Sequence, residues 1–160
     1  MISEKFIFVL ASLLSGAVPI EQESMLRHAY ANMNGGPNVG FFEQSPRMVL
    51  GDEVIKLNDC STSSVTCTEA EGIFIAIPFS TEGTAKDGTK VVVAKHLDVS
   101  LLGRQMRVRI IDARRGSVSY RYWYSDELGL VAFTVSMQGD SVLYVLQQAS
   151  GLKAKGGHPK

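Results

Sequence analysis

Arg107, Arg109, Arg121 and Trp123 are the residues whose types and spacing point most directly to chemistry. They fall at alternate positions of two segments, 105–112 and 118–124, so that on paired strands they would share one face. Guanidinium forks recognise carboxylates and phosphates and also stack on an indole ring. A face of that composition fits an acidic protein or an anionic envelope component as partner. The competing reading is the ordinary solvated side of an antiparallel sheet, with arginine stems shielding Trp123.

Cys60 and Cys67 are the only two cysteines, and both stand in the polar run 58–71. The C-x6-C spacing, with no cation nearby to activate a thiolate, does not suit a redox pair. Zinc would need two further ligands at suitable spacing. A disulfide closing a short loop is therefore expected, as in proteins of oxidising compartments. The three histidines, His28, His96 and His158, are scattered. His96 with Asp98 is one candidate acid–base pair, but a catalytic site needs more parts than that pair supplies. No G-x-S-x-G elbow, H-E-x-x-H pair, Walker loop or EF-hand loop occurs. The expectation is a protein without catalytic residues, metal or cofactor.

The N-terminus has the form of a secretory signal peptide over residues 1–17. Lys5 supplies positive charge, weakened by Glu4, residues 6–14 are apolar apart from Ser12, and Ser15-Gly16-Ala17 offers small residues at a cleavage site. The apolar core is shorter than the roughly 20 residues of a spanning helix. Export to the periplasm or medium follows as the expectation, with no transmembrane span in the mature chain. The competing reading is a buried N-terminal helix of a cytosolic domain. Lys and Arg number 16, as do Asp and Glu, so net charge gives no bulk reason to bind nucleic acid or an anionic membrane.

The elements that must position these groups are mostly β. Residues 18–152 are expected to form one β-rich domain, an antiparallel meander that is barrel-like or part of a sandwich, with a disordered Gly-rich tail over 153–160. A short helix is expected over residues 23–33, where Met25, Leu26, Ala29, Tyr30 and Met33 share a helical face and Asn34-Gly35-Gly36-Pro37 ends it. The apolar run 73–79 suggests a strand buried on both faces, with Pro78 at an edge or bulge. Asp87-Gly88 is expected to turn the chain from that run into residues 90–94.

Three hairpins follow. A loop at Arg114-Arg115-Gly116 would set Ile110 opposite Tyr120, Val108 opposite Tyr122, Met106 opposite Tyr124, Arg109 opposite Arg121 and Arg107 opposite Trp123. A turn at residues 126–129 would set Tyr122 against Phe133 and Tyr124 against Val131. A type II′ turn at Gly139-Asp140 would set Phe133 against Leu146. Tyr120, Tyr122, Tyr124 and Tyr144 then crowd one apolar face, as core or as the wall of a ligand cavity. The leading functional expectation is a non-enzymatic envelope or secreted module binding another macromolecule. A barrel for small hydrophobic ligands or lipid comes second, and a hydrolase without a recognisable motif third.

Overall fold

Alternating apolar residues and frequent turn residues give a chain of short hairpins, and the described residues are all strand, turn or loop. The computed structural model describes residues 26–154, apart from 44, 71, 102, 149 and 150. The expected signal peptide and residues 155–160 of the expected tail lie outside these.

The first strands form a meander: β1 (Leu26–Asn32), β2 (Val39–Phe42), β3 (Arg47–Leu50) and β4 (Glu53–Lys56). A second meander closes the chain: β8 (Glu82–Thr84), β9 (Lys90–Leu101), β10 (Arg104–Arg115), β11 (Val118–Ser125), β12 (Gly129–Met137) and β13 (Asp140–Leu146). The two join where β1 pairs with β13, giving one ten-stranded sheet in the order β4-β3-β2-β1-β13-β12-β11-β10-β9-β8. Between the meanders in sequence, β5 (Asn58–Asp59), β6 (Val65–Ala70) and β7 (Ile73–Pro78) form a separate three-stranded sheet. All pairings are antiparallel.

The mostly-β expectation holds, and the helix over 23–33 does not. Its described part is β1, held between β2 and β13 in the interior of the large sheet. Pairing on both sides satisfies its backbone, and His28 and Tyr30 are buried while Ala29 and Ala31 are less so, a period of two. Local helical spacing yields here to tertiary pairing. The expected terminator still turns the chain, at Gly35 (φ 84°), but between two strands.

The small sheet lies against the large one. All six residues of β7 are buried, as its unbroken apolar sequence suggests, and Pro78 ends it at a sheet edge. Among the described residues β7 pairs with β6 alone, so Asp87-Gly88 does not connect it to residues 90–94; that turn links β8 to β9. Tyr122 donates its hydroxyl proton to the Phe74 carbonyl at 2.6 Å, and the Phe74 and Tyr120 rings stand 5.2 Å apart. Arg115 joins the sheets at their rim, 2.6 Å from Glu69 and 2.8 Å from Asp87, with its guanidinium over Phe74. One apolar cluster spans both sheets, including Tyr30, Phe41, Phe74, Ile111, Tyr122 and Phe133. Beyond β13 the chain returns to β12. Gly151 N–H donates to the Leu128 carbonyl at 2.6 Å, Leu130 N–H to the Leu152 carbonyl at 2.8 Å, and Leu152 N–H to the Tyr30 hydroxyl at 2.9 Å.

Cys60 and Cys67 form the expected disulfide, with Cα atoms 4.8 Å apart and both side chains buried. It pins the loop that leads into β6, where Cys60 N–H also bonds the Cys67 carbonyl. Thiol titration of the denatured, unreduced protein should find no free thiol, and two reactive thiols would contradict the bond. Removing the pair as Cys60→Ser/Cys67→Ser should lower stability by about 2–3 kcal/mol, from the freedom returned to a short unfolded loop.

Candidate binding face

The face around Arg121 and Trp123 is set by one turn. Gly116-Ser117 joins β10 to β11, and Gly116 takes φ 58°, a left-handed conformation that glycine adopts without a Cβ penalty. Arg115 therefore pairs with Val118, not residue 113 with 117. The shift from the expected register is three residues. Being odd, it exchanges the faces of the partner strand. Arg121 stands opposite Asp112, Tyr122 opposite Ile111, Trp123 opposite Ile110, and Arg109 opposite Tyr124.

The four expected site residues consequently separate. Arg121 and Trp123 remain together on the side of the large sheet away from Tyr122. Arg109 turns to the tyrosine side, where its two terminal nitrogens donate to the Pro78 carbonyl at 3.2 Å and to Asp126 at 3.1 Å. Its guanidinium lies 5.0 Å from the Tyr124 ring centre. Arg107 is exposed and stands opposite Asp98 on β9. No Arg109–Arg121 repulsion arises.

Arg121 instead makes a two-pronged ion pair with Asp112, Nε to Oδ1 at 2.7 Å and Nη2 to Oδ2 at 2.9 Å. Donating to the Asp112 carboxylate holds the Arg121 proton more firmly, raising the guanidinium above its ordinary value. Around this pair runs an open groove of about 660 Å³. Trp123 forms one wall, half-buried, and Lys90 and Arg114 add positive charge at the strand ends. A ladder of hydroxyls completes it: Ser119 stands opposite Ser136, Ser136 opposite Ser141, and Thr134 opposite Arg121. The Ser136 and Ser141 hydroxyls are 2.8 Å apart. Among the described residues, three cations thus face one carboxylate in a groove whose lining includes the Trp123 indole.

The spacing of residues along the chain does not by itself mark Asp112, Lys90, Arg114 or the hydroxyl ladder as part of this face. The signal that finds most of them is Gly-Ser as a two-residue hairpin turn; with that register, simple alternation puts 112, 114, 119, 121, 123, 134 and 136 on one side.

The tyrosine side is packed. Tyr122 is fully buried, Tyr120 stacks on it at 6.5 Å, and Phe133 stacks on Tyr144 at 4.7 Å. Burial pushes the phenols of Tyr30 and Tyr122 far above their ordinary value, so both stay protonated donors to backbone carbonyls. His96 and Asp98 share one side of β9, both exposed, opposite Arg109 and Arg107. Among the described residues no three His, Cys, Asp or Glu side chains gather as a metal-holding group, and no helix is long and apolar enough to cross a membrane.

No family model matches the chain, and neither the curated proteins nor the solved structures contain a significant match to it.

Proposed function

We propose that the protein is an exported, non-enzymatic binding module that holds an acidic macromolecule in the groove around Arg121 and Trp123. The observation that carries this reading is the composition of the groove: Lys90, Arg114 and Arg121 against Asp112 alone, beside a half-buried indole and hydroxyls able to donate or accept. Asp112 fixes the Arg121 fork in place, which reduces the freedom lost when a ligand docks. Trp123 supplies contact area at low entropic cost. The disulfide is consistent with export, since such bonds persist in oxidising compartments.

The test uses retention of the protein on an acidic polysaccharide resin, at low and high salt. Wild type should be retained and should elute as salt rises, because exposed charges are screened beyond about 8–10 Å near physiological ionic strength. The double variant Lys90→Glu/Arg114→Glu should pass through unretained while its thermal stability stays near that of wild type, both side chains being exposed. Trp123→Ala should weaken retention without changing its salt dependence. Equal retention of wild type and the double variant would overturn the groove as the site.

A further inference from the structure

The outer edge of β9 is covered for only part of its length. β8 pairs with residues 90–92, and the Val93 N–H donates to the Thr81 carbonyl at 2.8 Å. Ala94 is a bulge, and from residue 95 onward β9 pairs with β10 on one side and, among the described residues, with no strand on the other. Ala94, Lys95, His96, Leu97 and Asp98 are all exposed, Leu97 by 39%. An uncovered edge of this length presents a row of unpaired backbone N–H and C=O groups, a ready template for another strand.

We infer that this edge pairs with the same edge of a second copy of the chain, antiparallel about a two-fold axis at Leu97. The register follows from geometry and charge. Along a strand, successive residues point their amides to opposite sides, so two residues paired across a two-fold must present theirs the same way. The axis therefore passes through a residue, not between two. With the axis at Asp98, two carboxylates would stand directly opposed, which is unfavourable. With the axis at His96, each Asp98 would meet Ala94 and gain no hydrogen-bonding side chain opposite it. With the axis at Leu97, His96 of each copy stands opposite Asp98 of the other, twice by symmetry. Lys95 then meets Val99, Ala94 meets Ser100, and the exposed Leu97 side chains meet each other.

The neighbouring strand extends this complementarity. Asp98 stands opposite Arg107 within its own chain, and His96 opposite Arg109, whose charge is engaged by Asp126. Across the new pair, each Asp98 is thus flanked by Arg107 on one side and by His96 of the second copy on the other. Continuing the ten-stranded sheet in this way also removes the liability of an open edge. The surface is distinct from the groove around Arg121.

Cysteine trapping reads the register directly. Residues on the axis have Cα atoms about 4.5–5.5 Å apart in an antiparallel pair, within reach of a disulfide. Leu97→Cys should cross-link into a covalent dimer under mild oxidation. Ser100→Cys, about 20 Å from its copy in this register, should not. Light scattering across a concentration series should show a reversible wild-type dimer. His96→Asp and Asp98→Lys should each raise its dissociation constant by about tenfold or more, the first by setting two carboxylates opposite one another twice, the second by removing both carboxylates that face His96 and setting a cation beside Arg107. The double variant His96→Asp/Asp98→Lys places opposite charges across the pair and should recover most of the affinity. A wild-type chain that stays monomeric at its highest soluble concentration would overturn the inference. So would a dimer unmoved by either single variant, or equal cross-linking of the two cysteine variants.

Discussion

Replacing Phe133 with alanine is expected to lower stability by about 3–5 kcal/mol, the range for deleting a buried aromatic ring. Phe133 sits at the middle of β12 with none of its surface exposed. Its ring stacks on Tyr144 at 4.7 Å and meets Tyr30 edge-on at 5.5 Å, so it ties β12 to both β13 and β1. It also stands opposite Tyr122, whose hydroxyl reaches the small sheet. The cavity left behind would open between rings held on three different strands, and such a site collapses poorly. Thr134→Ala, one residue along and on the groove side, should cost only about 0.5 kcal/mol, as surface changes usually do. Urea midpoints for the two variants, at unchanged slope, provide the measurement. Comparable losses from both would mean that the two faces of β12 are misassigned.

Phe133 also marks where sequence reasoning held. The alternation of 130–137 and 140–146 identifies two strands with one apolar side each, and the pairing of Tyr122 with Phe133 is as expected. The last hairpin turns at Gln138-Gly139, both at positive φ as a type I′ turn requires, one residue earlier than Gly139-Asp140. Phe133 then meets Tyr144 in place of Leu146. That two-residue change leaves every side chain on its expected face, because the side-chain period is two. A bulge between Trp123 and Tyr124 similarly sets Tyr124 against Leu130 where Val131 was expected.

The first hairpin behaves differently because its turn differs by an odd number. Nothing in the composition of 105–115 warned of it, since the strand is apolar on both sides in succession. Met106, Val108 and Ile110 are buried, and then Ile111 and Ala113 are. Both parities look like a core face, and only the turn decides which of them meets the tyrosines. Arg121 and Trp123 could be picked out as site residues from their own strand, being two apart. Asp112 could not, since its place beside Arg121 depends on that register. β1 was obscured for a related reason: an interior strand is identified by its neighbours, and those lie at 39–42 and 140–146, one of them over a hundred residues away.

Arg109→Glu is expected to destabilise the fold by roughly 3 kcal/mol, the scale of leaving a buried charge without its partner. On the expected register this change would have been harmless or slightly stabilising, by relieving a repulsion with Arg121. The observed surroundings reverse the sign. The Arg109 side chain is only 18% exposed, and it donates to the Pro78 carbonyl and to Asp126 while its guanidinium lies over Tyr124. Every one of those neighbours presents negative charge: a carbonyl oxygen, a carboxylate, the face of a ring. A glutamate there can accept but not donate, so the Pro78 carbonyl loses its donor and Asp126 gains a like-charged neighbour. Because Asp126 is itself largely exposed, the ion pair contributes little of the cost. Most of it comes from desolvating a carboxylate against the end of β7, so added salt should recover little of the loss. Arg121→Glu sets two carboxylates opposite each other on the solvent side and should cost about 1 kcal/mol, with partial recovery in salt. Arg109→Lys keeps the charge but not the fork, and should fall between wild type and Arg109→Glu. Denaturant unfolding of the three variants at low and high salt distinguishes these cases. An Arg109→Glu protein as stable as wild type would place that side chain in solvent and return Arg109 to the same face as Arg121.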